Sequence, residues 1–395
     1  MTTGARRALD RSHDAGLGGQ KRRTRPSDQG VSPPGLLLRL VANPTFRRWA
    51  AAFPLTRPFA RRRAQALFDL CAGFVYAQTL YACVQLDLFR LLAEGAQTAP
   101  DLARRMALPP ESAGRLLAAA AALRLVTRRG ARFGLGPLGA AMVGNDALAA
   151  MVAHHRVFYA DMQDPVALLR QGGAATGLSA YWPYAGSAAP GGLGRDSVAP
   201  YTALMAASQP MIAAEILDAY DLGRHRCLLD VGAGDGSFVL AAARRHTSLN
   251  AIAFDLPAVA AQADRKIESA GLAGRVRAAG GDVFAGALPA GADVASLVRV
   301  IHDHDDDAAR HILRAVFGAL PPGGTILLAE PMAGAGRPEP VGDAYFGFYL
   351  LAMGSGRART PESLRAMLTG AGFVQPKLLR TSMPMLTRLM VARRP

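Results

Sequence analysis

A glycine-rich turn followed by two acids is the strongest chemical signal in the sequence. Asp230-Val-Gly-Ala-Gly-Asp-Gly236 follows a short apolar run and precedes a helical pattern. Its alternating glycines permit a tight turn and close backbone approach to a ligand, although the spacing is not the dinucleotide pattern G-x-G-x-x-G. Asp255 and Gly281-Asp282 are placed at the ends of the second and third strands, at the edge where open α/β sheets bind ligands. A carboxylate at Asp255 can bind both hydroxyls of a ribose, so the set predicts a ligand site rather than three unconnected turn acids.

A second dense cluster, His302-Asp-His-Asp-Asp-Asp307, allows two interpretations. Its ligand types suit a metal ion. It also opens a predicted helix, where acids stabilise the helix dipole and cap free N–H groups. We favour capping and expect no metal. His154 and His155 lie in another helical stretch and are interpreted as a structural or pocket-lining pair.

The carboxyl-terminal half alternates short apolar runs with helical segments. This alternation predicts an α/β fold with a doubly wound, mostly parallel sheet and helices on both faces. Residues 373–381 and 386–392 are expected to close it as a hairpin. The predicted strands are 227–231, 251–254, 294–300 and 325–329, and the predicted helices are 238–245, 259–270 and 308–320.

Residues 86–143 have a different pattern, three helical segments and a short basic hairpin with Gly130 at its turn. Thr98 and Pro100 mark the start of one of these helices. The pattern predicts a winged helix-turn-helix. This unit binds DNA in many regulators and packs subunits together in other proteins.

Composition narrows the class of protein. The 395 residues are 50% hydrophobic and 19% charged, which excludes a wholly disordered chain. The most apolar window, 64–89, is interrupted by polar residues, so we expect no membrane span. The amino terminus lacks the apolar core of a signal peptide, and three scattered cysteines suit a reducing compartment. These features predict a cytoplasmic protein, either soluble or peripheral to a membrane.

Most of the positive charge lies near the amino terminus. The formal net charge is +15, and residues 1–63 hold fourteen Lys and Arg against three Asp. Prolines 44, 54 and 58 prevent one continuous helix through this region. The rest of the chain is nearly balanced in charge, so we do not expect nucleic acid as a partner, and a winged-helix DNA-binding regulator is kept as the alternative from another class.

Several motifs recur in order in class I S-adenosylmethionine-dependent O-methyltransferases of the caffeate and hydroxyindole type, which this chain resembles from about residue 70 onward. The stretch from Phe53 to Arg63 and the following Ala66-Leu-Phe-Asp-Leu70 also resemble the carotenoid hydroxyl methyltransferases of purple photosynthetic bacteria. The shared motifs are Leu229–Gly236, Phe254-Asp-Leu-Pro257, Gly281-Asp-Val-Phe284, Arg299-Val-Ile-His-Asp303 and Pro322–Glu330.

The resemblance implies a role for each matching residue. Asp230, Gly232 and Gly234 belong to the turn that receives the aminoacyl end of S-adenosylmethionine, and Asp255 binds its ribose. Asp282 and Val283 flank the adenine, and Arg299 stands where the family usually has lysine. His302 falls on the catalytic base, whose tautomer Asp303 or Glu330 could fix. The chain departs from the plant enzymes at Ala358, which replaces a glutamate that helps to hold the histidine and so puts a standard phenol substrate in doubt.

We therefore predict a disordered basic arm over residues 1–34, a helical and winged-helix dimerisation domain over 35–150, linking helices with a substrate-pocket segment over 151–223, and a catalytic domain over 224–395. The predicted reaction transfers a methyl group from S-adenosylmethionine to a hydroxyl of a large apolar acceptor, a hydroxycarotenoid, in a homodimer. The enzymatic alternative is O-methylation of an aromatic or polyketide metabolite. Aromatic residues and arginines between Phe46 and Arg63 are expected to contact anionic membranes; the other interpretation is a solvated face, or pairing with the partner subunit's acids.

Overall fold

The computed structural model describes residues 35–173, 175–182 and 195–395, without the side chains of residues 36, 37 and 195–200. The predicted arm at residues 1–34 lies outside the described residues. Contacts divide the chain after Phe74 into two units. The domain boundaries expected at residues 34, 150 and 223 stay predictions.

The first unit is helical and is interrupted at its prolines, as expected: Pro44 and Pro58 lie in the first turns of helices, and Pro54 lies in the turn between these helices. Pro44 occupies the first turn of α2, where the Asn43 side chain accepts hydrogen bonds from two backbone N–H groups. Such positions tolerate proline because their N–H groups have no intrahelical partner. The helices are α1 (Leu36–Ala42), α2 (Pro44–Ala52) and α3 (Arg57–Gln85), the last continuing into the second unit.

Helix α3 is long and apolar enough to span a membrane by length and composition alone, and helices of soluble proteins also meet that criterion. The expectation of no such segment rested on uninterrupted apolar runs. Mean hydropathy over a window tolerates isolated polar residues, so α3 qualifies despite Gln65, Asp69 and Gln78.

The second unit begins with the predicted helices and hairpin. Thr98 caps α5, accepting from the Asp101 N–H, as its sequence position indicated. Leu88, Leu102 and Leu117 are fully buried between these elements, and each contributes about 1.5–3 kcal/mol relative to exposure. The elements are α4 (Leu88–Ala93), β1 (Gln97–Thr98), α5 (Ala99–Arg105), α6 (Pro110–Ala122), β2 (Val126–Arg129) and β3 (Arg132–Leu135), with β1, β3 and β2 forming an antiparallel sheet.

Five helices follow and lead into the second sheet. They are α7 (Pro137–Ala140), α8 (Asp146–Asp161), α9 (Pro165–Gln171), α10 (Gly177–Tyr181) and α11 (Arg195–Ala219).

A seven-stranded sheet in the order β6-β5-β4-β7-β8-β10-β9 confirms the predicted doubly wound fold. The first five strands are parallel, and β10 and β9 form the expected antiparallel hairpin. The strands are β4 (Cys227–Val231), β5 (Asn250–Asp255), β6 (Val276–Gly280), β7 (Val294–Val298), β8 (Thr325–Glu330), β9 (Val374–Leu379) and β10 (Arg388–Arg393). The helices between them are α12 (Ser237–Arg245), α13 (Pro257–Ser269), α14 (Asp306–Ala319), α15 (Phe346–Met353) and α16 (Pro361–Gly370).

Both faces of the sheet are covered, so its central strands are apolar throughout. Every residue of β7 and β8 is buried. Helices α14 and α16 contribute to the core cluster on one face, and α11, α12 and α13 to that on the other. The strand order reverses between β4 and β7, so a crevice opens beyond their carboxyl ends.

Candidate active site

A cavity lies at this crevice, and seven of the ten residues predicted for the site line it. These are Gly232, Gly234, Asp255, Asp282, Val283, Arg299 and Asp303. The other three, Asp230, His302 and Glu330, lie in its walls, buried behind the lining.

The two glycines of the β4–α12 turn serve different purposes. Gly232 has φ +75°, and a Cβ there would lie 2.6 Å from Val300 Cγ2, so a side chain is excluded by packing. Gly234 has φ +57°, and a Cβ there would meet nothing within 4 Å. Only at Gly234 would a side chain enter open space, so this residue leaves room for a ligand against the backbone.

Asp255 closes the same turn from the end of β5. Its two carboxylate oxygens accept hydrogen bonds from the N–H groups of Gly234 and Leu256, both at 2.7 Å. Each oxygen keeps a lone pair for a ligand hydroxyl. Burial raises the pKa of Asp255 to about 6. The carboxylate is therefore held rigidly at the cavity wall and is ionised at neutral pH.

Asp230 is placed differently from the other acids. It is 1% exposed within β4, and Ser296 on the neighbouring strand donates its hydroxyl to the carboxylate at 2.6 Å. Burial raises the pKa of Asp230 to about 7. Asp230 supports the strand beneath the turn and does not line the cavity, so direct cofactor contact by this side chain stays a prediction.

The far end of the cavity is aromatic. Asp282 accepts from the Phe284 N–H at 2.9 Å, which shapes the turn after β6. The Phe284 ring meets the His304 ring edge-on at 5.7 Å, and both residues line the cavity with Val283. Burial lowers the pKa of His304 to about 4, so its imidazole is neutral. Together these side chains form a flat, apolar slot.

Arg299 ties the end of β7 to α11. Its guanidinium donates to Ser208 Oγ at 2.6 Å, to the Met205 carbonyl at 3.0 Å and to Gln209 Oε1. Its backbone is left-handed, with φ +58°, a strained conformation that these bonds help to hold. Arg299 thus positions the α11 wall of the cavity.

The sequence placed a substrate-pocket segment within residues 151–223 but did not show which residues of α11 line the cavity. Apolar and polar residues are mixed around α11, so its pattern does not show which side faces a ligand. Its cavity-lining residues are Tyr201, Thr202, Met205, Ala206 and Gln209.

His302 lies in a 3₁₀ turn, Ile301–Asp303, just after β7. Its Nδ1 is 2.5 Å from Glu330 Oε2, and Glu330 Oε1 accepts from the N–H groups of Val300 and Ile301. Because an ionised carboxylate only accepts, we assign the proton to Nδ1 and a free lone pair to Nε2. Of the two acids considered, Glu330 is the one that fixes this tautomer.

Asp303 lies beside the other ring nitrogen without bonding to it. Its Oδ1 is 3.1 Å from His302 Nε2, yet this buried oxygen makes no hydrogen bond with any described residue. Burial favours neutral imidazole, but the charges of Asp303 and Glu330 outweigh burial and raise the pKa of His302. Burial raises the pKa of Asp303 to about 6.

The Gly356-Arg-Ala-Arg-Thr360 segment is bonded through Arg359 to the turn that holds His302, Ile301–Asp303. The Arg359 guanidinium donates to the carbonyls of Ile301 and His304, each at 2.7 Å, and pairs with Asp306 at 2.9 Å. Ala358 packs against an aromatic cluster. Although Ala358 replaces the expected glutamate, His302 still has a carboxylate partner, because Glu330 bonds to its Nδ1.

Gly356→Ala should destabilise this connection. At φ +78° a Cβ would lie 2.1 Å from the His302 carbonyl oxygen, too close for any relaxed packing. We expect a loss of about 1–3 kcal/mol in the free energy of unfolding, measured by denaturant titration. Gly274→Ala, where a Cβ meets nothing within 4 Å, is the control and should change stability little. Equal stability of the two variants would contradict the packing argument.

Aromatic rings cover His302 on its other side. The Phe346 ring contacts the His302 ring edge-on at 5.8 Å, and Tyr345 and Tyr349 stack at 5.7 Å on the adjoining turns. His154 Nε2 bonds the Tyr349 hydroxyl at 2.7 Å, and His155 Nε2 bonds that of Tyr345 at 2.8 Å.

These two histidines are structural partners of the tyrosines. Burial lowers the pKa of His154 to about 4 and also lowers that of His155, so both are neutral at pH 7. Their bonds occupy the two tyrosine hydroxyls. The aromatic surroundings of His302 are thereby less polar than their residue types indicate, although these rings are not among the described residues that line the cavity.

Over the described residues, no group of three or more His, Cys, Asp and Glu side chains has the geometry to hold a metal ion. In the acidic run after His302, Asp306 and Asp307 stand in the first turn of α14. Asp306 pairs with Arg359, and the Asp305 side chain accepts from the Gly356 N–H at 3.1 Å. The acids therefore brace the turn and the helix start.

The sheet order and the glycine turn, with an acid at the end of the next strand, define the class I methyltransferases. The O-methyltransferase domain matches residues 174–374, and the O-methyltransferase dimerisation domain matches residues 68–145. The chain belongs to the S-adenosylmethionine-dependent O-methyltransferases, and its dimerisation domain supports a homodimer.

Individual relatives extend this assignment. The chain is 40% identical to demethylspheroidene O-methyltransferase of Cereibacter sphaeroides, covering 94% of this chain and 97% of that one. It is 31% identical to acetylserotonin O-methyltransferase of Mus musculus, over 82% and 87% of the two chains. Among solved structures, the S-adenosylmethionine-dependent methyltransferase SibL aligns with a TM-score of 0.70 and 28% identity, over 84% of this chain and 99% of its own.

Proposed function

We propose that this protein methylates a hydroxyl of a carotenoid, using S-adenosylmethionine held in the cavity described above. The cavity residues fit the parts of that cofactor. Gly234 leaves open backbone beside the turn for the aminoacyl group, Asp255 has acceptors for two ribose hydroxyls, and the slot of Val283, Phe284 and His304 suits adenine.

The buried His302–Glu330 pair carries the proposal of base catalysis. When bound, S-adenosylmethionine supplies an electrophilic methyl group on its sulfonium. His302 Nε2 takes the proton of the acceptor hydroxyl, and Glu330 holds the Nδ1 proton and stabilises the resulting imidazolium. The acceptor oxygen must attack the methyl carbon in line with the bond to sulfur. Holding the acceptor and His302 in that geometry therefore contributes much of the rate of methyl transfer.

The acceptor class rests on two observations. The relative that aligns along nearly the whole chain is named for demethylspheroidene, a carotenoid alcohol. The wall beside His302 consists of Phe346, Tyr345 and Tyr349. The hydroxyls of the two tyrosines are already hydrogen-bonded, Tyr349 to His154 and Tyr345 to His155. A wall without free polar groups suits a polyene, which has no polar groups to pair with it.

Glu330→Gln should change the pH dependence of the reaction as well as its rate. The base must be neutral, so activity falls as pH falls through the pKa of His302, which the two carboxylates raise. Removing the Glu330 charge should move that acidic limb to lower pH. The new amide also donates toward Nδ1 and favours the wrong tautomer, so we expect kcat to fall roughly 10²-fold.

Glu362→Gln is the matched control, since Glu362 is exposed at the start of α16. Its pH–rate profile should overlay that of the unmodified enzyme. An unshifted acidic limb in Glu330→Gln would contradict the proposed coupling of Glu330 to the base.

An aromatic acceptor is the second candidate, favoured by the match to acetylserotonin O-methyltransferase. Incubation with labelled S-adenosylmethionine and separate pools of hydroxycarotenoids and phenols separates the two. We expect label in the carotenoid pool. Label confined to phenols would support the second candidate, and label in neither would remove both.

We also propose that the protein works in the cytoplasm, in peripheral contact with the membrane that dissolves its acceptor. All three cysteines are free, which suits a reducing compartment.

The winged-helix segment lies inside the dimerisation match, which favours subunit packing over the DNA-binding alternative.

A further inference from the structure

The first unit presents an aromatic and cationic surface, here called the N-terminal face and defined by residues 46–63. Phe46, Trp49 and Phe53 follow one another at helical spacing, with ring centroids 5.6 and 5.1 Å apart. Trp49 is 52% exposed, and Leu55 and Phe59 next to it are 76% and 66% exposed. This segment therefore exposes several large apolar side chains, and three of its aromatic rings lie in contact as a row.

The same stretch of the chain is rich in arginines without counter-charges. Residues 35–74 hold seven arginines and one acid, Asp69. None of the seven forms a salt bridge with a described residue. They are Arg39, Arg47, Arg48, Arg57, Arg61, Arg62 and Arg63. This surplus of positive charge favours binding of an anionic partner.

The N-terminal face lies outside the two domain matches, because the dimerisation match begins at residue 68. The demethylspheroidene O-methyltransferase match covers 94% of this chain, which leaves too few residues outside it to exclude this face. The face therefore belongs to the part of the chain that aligns with a relative named for a carotenoid.

We propose that the N-terminal face docks on an anionic lipid bilayer. Trp49, Phe53, Leu55 and Phe59 enter the boundary between headgroups and acyl chains, and the arginines bind lipid phosphates. The proposal rests on the proposed function, since a dissolved carotenoid must be collected at the bilayer.

A second copy of the chain is the poorer occupant. If the N-terminal faces of two copies packed against each other across a two-fold axis, their arginines would be brought close together, and like charges repel. The apolar residues of α3 from Phe68 onward fall within the dimerisation match and are left for the partner subunit.

Vesicle co-sedimentation with the full chain, without acceptor, tests this docking. Binding should rise with the fraction of phosphatidylglycerol in phosphatidylcholine vesicles and fall with salt. The triple variant Arg61→Gln, Arg62→Gln, Arg63→Gln should bind roughly 100-fold more weakly. Its matched control is Arg90→Gln, Arg115→Gln, Arg129→Gln, which removes equal charge from the second unit and should bind as the unmodified chain does.

Tryptophan fluorescence reports insertion directly. The chain has two tryptophans, and Trp182 is 2% exposed whereas Trp49 is 52% exposed. Anionic vesicles should shift the emission to the blue, and brominated lipid should quench it. Trp49→Phe should remove both effects while retaining vesicle binding.

Three results would overturn the proposal. Equal binding to neutral and anionic vesicles would exclude charge recognition, and binding that resists high salt would point to α3 as a spanning helix. A concentration-dependent Trp49 shift without lipid would assign the face to a second copy. Methyl transfer to the carotenoid in detergent is assayed separately, so failure of docking and failure of the proposed function give different results.

Discussion

Replacing His302 by alanine should lower methyl transfer roughly 10²–10⁴-fold while S-adenosylhomocysteine still binds. An aliphatic alcohol has too high a pKa to ionise before the reaction, so its proton must leave as the methyl group arrives. His302 Nε2 is the group with a free lone pair at the turn, because Glu330 binds Nδ1 at 2.5 Å. Single-turnover kinetics with hydroxycarotenoid measures the loss, and calorimetry measures binding.

His311→Ala provides the control for histidine removal. His311 is exposed on α14 and contacts the proposed adenine slot through the Val283 carbonyl and the Phe284 ring, but not His302, so its S-adenosylhomocysteine binding is measured as well. It should transfer methyl groups within a few-fold of the unmodified rate. If His302→Ala turns over at the unmodified rate, the base lies elsewhere, or alignment of acceptor and cofactor alone drives the reaction.

Asp255→Ala should weaken S-adenosylhomocysteine binding by about 1–3 kcal/mol, because two ribose hydroxyls lose their acceptor. The same change frees the N–H groups of Gly234 and Leu256, which the carboxylate now satisfies. Asp255→Asn keeps the shape of the side chain and one acceptor oxygen. Its affinity for S-adenosylhomocysteine should therefore lie between those of Asp255→Ala and the unmodified protein. Isothermal titration calorimetry provides the comparison.

The affinity should also depend on pH. Burial raises the pKa of Asp255 to about 6, so protonation below that pH replaces an acceptor by a donor. Affinity should be full at pH 8 and decline as pH falls through 6, and the decline should be absent in Asp255→Asn. Unchanged affinity in Asp255→Ala would overturn the ribose assignment.

The strands and the residues at their ends are the features that could be predicted most accurately from the sequence. The strand at Cys227–Val231 was predicted with the bounds that the structure has, and β5, β7, β8 and the β9–β10 hairpin within about two residues, because buried strands are continuous apolar runs between turn residues. Strand β6 was given no bounds, because its residues do not form such an apolar run. The position of Asp255 and Asp282 at the sheet edge follows from topology alone. The family resemblance added the catalytic histidine.

The tertiary structure decided what lies behind and across from those residues. Asp230 and Asp255 share a residue type and a strand end, yet one is buried against Ser296 and the other faces the cavity. The pleat and the neighbouring strand determine that difference. Local sequence does not contain either.

Long-range pairings account for the rest. His302 meets Glu330 across 28 positions, and His154 meets Tyr349 across 195, so no spacing rule could have joined them. Helix α11 lies in the cavity wall and bonds to Arg299, although its own residue pattern has no distinct apolar face. The glycine turn and the acids at strand ends could be predicted because they are local features, whereas the role of His302 came from the family resemblance. Which carboxylate pairs with His302, and which side chains surround that pair, follow from the folded structure alone, because these contacts depend on packing between distant segments.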